Sequence, residues 1–189
     1  MARRILQGYL RLLNTHPFKT QVLTAATLMA TGDVVSQTLV EKRSLLKLDY
    51  SRTGRFFVFG IVILGPTLRT WYVFLERYIH GPAKIVPLYR LALDQLVFAP
   101  WFIVVFVSVM DYWKSRSLAS VKAKLSQDYK EMLINNYKLW PAAQIINFYL
   151  LPLNYRILYV NSVAIIWNTY ISYVSEAKTV PKVEENQKS

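Results

Sequence analysis

Four ionisable residues sit inside apolar runs of this sequence, where charge is costly: Asp33, Arg69, Asp94 and Arg156. On insertion scales a charge at the centre of a bilayer costs about 2.5–3.5 kcal/mol. Such residues therefore face a bundle interior, pair with one another or line a path. Two are acids and two are bases, so neutral pairing is available. Arg69 and Asp94 flank a short loop and approach one membrane face, which predicts an Arg69–Asp94 pair. Asp33 approaches the other face, where Arg52 and Arg55 begin the next run, so one of those arginines is its expected partner. Amides accompany the charges. Gln37 follows Asp33 by four residues on the same helical face, and Gln95 adjoins Asp94. Gln144 with Asn147, and Asn161 with Asn168, also stand at same-face spacings. As a set, Asp33, Gln37, Arg69, Asp94, Gln95, Gln144, Asn147 and Arg156 are candidates to line or gate a wet pathway. Singly, each amide is more simply a hydrogen bond between helices, worth about 0.6–2 kcal/mol.

Other chemistry is excluded by residue type. The chain has no cysteine, so disulfides, thiolate metal sites and cysteine nucleophiles are ruled out. Its two histidines, His16 and His80, stand far apart, which leaves no histidine-rich metal site. There is no phosphate-binding glycine loop, dinucleotide fingerprint or serine in a nucleophile elbow. No catalytic residue, metal or cofactor is expected, and the chain is not expected to be an enzyme.

The elements that must position these residues are long apolar helices. A bilayer core needs about 20 predominantly apolar residues in helix. Runs near 18–40, 55–77 and 89–112 meet that length, and residues 133–175 supply more. Pro152 and Arg156 divide this last region into two joined spans, or one kinked span with an interfacial or re-entrant piece. The expected fold is all-α: a polytopic transmembrane helix bundle of about four full spans, a broken or short apolar helix, and amphipathic interfacial helices. Pro66, Pro100, Pro141 and Pro152 are candidate helix breaks, either static kinks or shapers of a pore. Gly32, Gly54 and Gly60 are expected to let helices approach closely, and the faces around Gly32 and Gly60 permit a homo-oligomer. Trp71, Tyr72, Trp101, Trp113 and Trp167 resemble interfacial anchors, with packing inside the bundle as the alternative for Trp101 and Trp167.

The rest of the chain fits a single membrane domain over 1–176. Net charge is +12 although 53% of residues are hydrophobic. The bases lie between apolar runs, as in the loops of a polytopic protein, rather than in one nucleic-acid-binding motif. Residues 1–16 form a basic, acid-free amphipathic segment. It reads as a mitochondrial import signal, an interfacial helix, or both. Residues 113–132 carry Leu118, Val121, Leu125, Tyr129 and Met132 at helical spacing, which suggests a helix on the membrane surface. The tail is polar from Glu176, and 177–189 are expected to be flexible. Basic residues fall on both faces and set no orientation.

One stretch carries a resemblance. The run Trp140-Pro141-Ala142-Ala143-Gln144-Ile145-Ile146-Asn147-Phe148, continued by Pro152, Arg156, Trp167 and Tyr170-Ile171-Ser172, resembles the signature of the Mpv-seventeen family of membrane proteins. Gly32-Asp33 with Gln37, Gly65-Pro66 with Trp71-Tyr72, and Asp94-Gln95 with Pro100 are similar to that family's first three spans. The match runs in order over about residues 5–175 and favours the Mpv-seventeen branch over the peroxisomal branch of the family. Thr67-Leu68-Arg69 departs from the family pattern, which makes Arg69 less secure than Asp33, Asp94 and Gln144. The resemblance implies a small protein of the mitochondrial inner membrane, with the peroxisomal membrane as the alternative. It implies pore formation for small solutes. It also implies support of membrane potential, reactive-oxygen balance and mitochondrial DNA maintenance, the last indirectly and without nucleic-acid binding.

Three functions follow as expectations. A weakly selective channel predicts a polar lumen touching Asp33, Asp94, Gln144 and Asn147. A carrier for nucleotides or other metabolites predicts a basic site at mid-membrane. A structural protein predicts fully paired polar groups and basic loops on cardiolipin headgroups.

Overall fold

A computed structural model describes the backbone of residues 2–82, 84–151 and 153–177, and their side chains except those of residues 2, 3, 5, 153–158 and 177. Among the described residues the chain is helical, without strands. Helix α1 (Ala2–Thr15) is followed at once by α2 (Pro17–Val35). Pro17 stands in the first turn of α2, where its missing N–H leaves no bond unmade. Next come α3 (Tyr50–Tyr78), α4 (Val86–Ser115), α5 (Leu118–Ile145) and α6 (Leu153–Ser172). Asp49 caps α3 by accepting from the Arg52 N–H at 2.9 Å, and Ser117 caps α5 by accepting from the Ser120 N–H at 3.3 Å. Arg116 adopts the left-handed conformation (φ 55°) that turns the chain from α4 into α5.

Each helix from α2 onward carries a π-helical turn: Ser36–Val40, Gly60–Leu64, Asp94–Phe98, Ile146–Leu150 and Tyr173–Ala177. Among the described residues, two of these turns stand directly ahead of a proline. A proline ring in a helix clashes with the carbonyl four residues back. The wider turns make room for it, closed by the Gly65 N–H to the Gly60 carbonyl before Pro66 and by the Ala99 N–H to the Asp94 carbonyl before Pro100. Pro141 lies inside α5. Pro152 lies outside the described residues.

Helix α2 is the central element, packed on α3 and α6, while α4 packs on α5. The core joins Met29, Phe56, Phe59, Ile103, Phe106, Met110, Met132 and Ile171. Phe59 and Phe106 meet edge to face at 5.4 Å. Small residues set the approach of α2. A Cβ on Gly60 would meet the backbone N of Ala26 at 3.0 Å, and one on Gly65 would meet Val22 Cα at 2.7 Å. Gly32 lies against α6 in the same way. Gly32 and Gly60 thus let helices approach closely within the chain, as expected of them. Gly54 has no neighbour within 4 Å and is not an approach point.

Two helices, Tyr50–Tyr78 and Val86–Ser115, are long and apolar enough to cross a membrane. They contain the expected spans 55–77 and 89–112. The regions 18–40 and 133–175 are helical, but only α3 and α4 pass that test among the described residues. Their outer faces expose Val58, Val62, Leu96, Val97, Trp101 and Val104, a surface suited to lipid and costly in water.

Two further expectations are corrected. Residues 118–132 are not a separate surface helix. They begin a helix that runs unbroken through the apolar stretch to Leu150, with Val121, Lys124, Asp128, Met132 and Asn136 buried. Glu176 does not open a disordered tail either. It is buried in the last π turn, where Arg55 at 3.4 Å and Lys114 at 3.0 Å neutralise it. Residues 178–189 lie outside the described residues.

Candidate functional site

The bundle has two polar regions, one at each end. At the first end the carboxylate of Asp33, fully buried, accepts four hydrogen bonds. Arg52 Nε donates to Oδ1 at 2.6 Å and the Ser172 hydroxyl donates to the same oxygen at 2.6 Å. Gln37 Nε2 donates to Oδ2 at 2.8 Å and the Thr53 hydroxyl donates to it at 2.5 Å. Arg52 reaches onward from Nη2 to Glu41 Oε1 at 2.7 Å and to the Ser172 hydroxyl at 2.8 Å. Gln37 Oε1 accepts from the Asp49 N–H at 2.7 Å. This clasp ties α2, α3 and α6 together. It answers the sequence question of which arginine pairs with Asp33: Arg52 does, and Arg55 goes to Glu176. A lone charge here would face the full cost of desolvation, while a pair with every lone pair engaged offsets most of it.

Beside the clasp lies a second buried pair, Lys124 Nζ to Asp128 Oδ2 at 2.8 Å, with Lys124 also donating to the Val174 carbonyl at 3.2 Å. Residue-level reading missed it. The signal was present: Lys124 and Asp128 fall in the stripe of Val121, Leu125 and Met132, so they share the buried face.

At the opposite end a cavity of about 350 Å³ opens between α1, α2, α3, α4, α5 and α6. Asp94, Gln95, Asn136, Gln144, Asn161 and Asn168 contribute its polar wall. Trp71 N–H donates to Asp94 Oδ1 at 3.0 Å, and Gln95 Nε2 donates to Oδ2 at 3.2 Å. Asn136 Nδ2 donates to Gln95 Oε1 at 2.8 Å, so α4 and α5 share one amide chain. Tyr9 and Leu13 of the amphipathic α1 also face the cavity, and the Tyr9 hydroxyl lies 3.2 Å from that of Thr24. Met29, Ile103 and Ile171 form its floor and belong to the core. Beyond that floor lies the clasp.

The candidates thus divide. Arg69, Asp94, Gln95 and Gln144 line the cavity. Asp33 and Gln37 do not; they are locked in the clasp. Asn147 is buried next to the cavity and donates to Gln144 Oε1 at 3.2 Å. Arg156 is on α6, with its side chain outside the described residues. The expected Arg69–Asp94 pair does not form: Arg69 Nη1 donates to Gln21 Oε1 at 3.1 Å, and Trp71 takes Asp94. Trp71, expected as an interfacial anchor, is half-buried and stacks on Phe98 at 5.2 Å. Trp167 lines the cavity, whereas Trp101 is 52% exposed on the outer face. Asn136 was missed, although it stands four residues beyond Met132 on the buried stripe of α5.

The sequence model described as the Mpv17 / PMP22 family matches residues 111–172, from the end of α4 through α6. The chain is 44% identical over 167 residues to mitochondrial inner membrane protein Mpv17 of Homo sapiens, covering 88% of this chain and 95% of that protein. It is 42% identical to the Xenopus laevis protein of the same name, covering 88% and 94%. It is 44% identical over 165 residues to Protein SYM1 of Gibberella zeae, covering 86% and 93%. No solved structure matches. On these likenesses, at 42–44% identity over 86–88% of its length, the chain belongs to the Mpv17 / PMP22 family.

Proposed function

We propose that this chain forms a gated passage for small solutes across the mitochondrial inner membrane, the membrane for which its Mpv17 relatives are named. The observation that carries the reading is the cavity running into the bundle, its largely apolar wall interrupted by Asp94, Gln95, Asn136 and Gln144, and stopping on the core residues Met29, Ile103 and Ile171. Amides and a carboxylate let a hydrated solute enter. The apolar floor excludes water, and the clasp behind it holds α2, α3 and α6 shut. Opening then means dewetting relief at the floor together with release of the clasp. In this reading α2, α3 and α4 each cross the bilayer and the α5–α6 region completes about four spans. Exchange of solutes supports membrane potential and reactive-oxygen balance, and mitochondrial DNA maintenance indirectly.

The closed clasp also suits a carrier, since alternating access requires one end to be shut while the other is open. Exposed Lys42, Arg43, Lys47, Arg116 and Lys122 at the clasp end suit the headgroups of an anionic lipid such as cardiolipin.

Single-channel recording of purified protein in a planar bilayer separates the readings. A passage predicts discrete conductance, lowered or altered in selectivity by Asp94→Asn and by Gln144→Leu. Silence from folded protein, with saturable counter-flow of a loaded solute, favours the carrier. Silence in both assays removes transport from the account.

A further inference from the structure

Two of the side chains that line the cavity carry a formal charge, Asp94 and Arg69, and their signs are opposite. They make no ion pair with each other. Asp94 is held by neutral donors, the Trp71 indole and the Gln95 amide. Arg69 donates to a neutral acceptor, Gln21. The part-buried Asp94 carboxylate has no counter-charge in the cavity, which is costly at membrane depth, and the Arg69 guanidinium is exposed on the same wall with a neutral partner. The cost falls when one molecule brings both missing charges. The guanidinium offers a planar fork that matches a carboxylate, and the carboxylate offers acceptors to an ammonium.

We propose that the cavity binds a zwitterionic solute of amino-acid size, its ammonium group on Asp94 and its acid group on Arg69. The proposal rests on the cavity being the solute path and names what enters it. Size agrees: the cavity volume of about 350 Å³ lies at the low end of the range for small-molecule sites. A nucleoside polyphosphate would set several negative charges against one arginine and bring a further one up to Asp94. Leu68, Phe98 and Phe102 provide an apolar wall for a side chain, so leucine is a suitable probe.

The test is equilibrium binding of radiolabelled leucine to full-length protein in lipid nanodiscs, competed by leucinamide, which lacks the acid, and by 4-methylpentanoate, which lacks the amine. The expected result is saturable leucine binding, with each single-charge analogue weaker by about tenfold or more, as when one partner of a desolvated charge pair is removed. Asp94→Asn should erase the advantage of leucine over 4-methylpentanoate, and Arg69→Gln its advantage over leucinamide. Absence of saturable binding to folded wild type overturns the proposal, as does equal binding of either analogue. The analogue series needs no variant to fold. Conductance recorded on the same preparation tests the path separately: current without leucine binding defeats this inference alone, whereas leucine binding without current or counter-flow defeats the path and leaves a binding site.

Discussion

Arg52→Gln is expected to lower stability by about 3–5 kcal/mol, the cost of leaving one member of a buried ion pair unpartnered. Arg52 is 2% exposed and engages Asp33, Glu41 and Ser172 at once. Its loss leaves the Asp33 carboxylate without a cation in a site that no water reaches. Asp33→Asn should also destabilise, because Arg52 then keeps only Glu41. The double variant Asp33→Asn with Arg52→Gln should be less damaged than the two single losses added together. Unfolding in mixed micelles, followed by circular dichroism, measures all three. Strict additivity would mean that the pair does not couple α2 to α3.

Gly32→Ala is the second large effect, expected at about 1–3 kcal/mol from overpacking. A Cβ there would meet the backbone carbon of Asn168 at 2.7 Å and the Thr169 nitrogen at 2.9 Å. Backbone cannot rotate aside as a side-chain tip can, so α6 must shift away from α2. The shift has a second consequence. Ser172 is one turn beyond Asn168, and its hydroxyl holds Asp33 at 2.6 Å, so moving α6 loosens the clasp as well. Gly54→Ala is the control. Nothing lies within 4 Å of it, and alanine favours helix, so its effect should be neutral or slightly stabilising. The same unfolding assay checks both. Equal effects at Gly32 and Gly54 would count against the α2–α6 contact.

What could be read from the sequence follows from what sequence spacing encodes. Depth along a span is encoded, because helix rise is fixed at about 1.5 Å per residue. That is why Asp33 could be matched to Arg52 or Arg55, and why Arg69 and Asp94 were placed at one end of the bundle. Azimuth relative to a neighbouring helix is not encoded. Arg69 and Trp71 are two positions apart, hence about 200° around the axis, and the packing of α3 on α4 turns Trp71 toward Asp94. Arg69 is left facing Gln21 on α2. The same limit explains α5. A stripe at Val121, Leu125 and Met132 reads alike whether it lies on lipid or on another helix. Its charged members, Lys124 and Asp128, decide for burial only once seen to pair with each other. The resemblance at residues 140–148 located the amides but not their partners. Gln144 reaches the cavity while Asn147, in the following π turn, stays behind it.

The cysteine-free chain offers a direct probe of the cavity as the path. Single-channel current through Gln144→Cys should be recorded before and after a water-soluble, charged thiol reagent. If solutes pass the cavity, the reagent blocks or sharply reduces current in Gln144→Cys and leaves wild type unchanged. Gln144→Cys that is fully labelled yet conducts as before would contradict the account and place the path elsewhere.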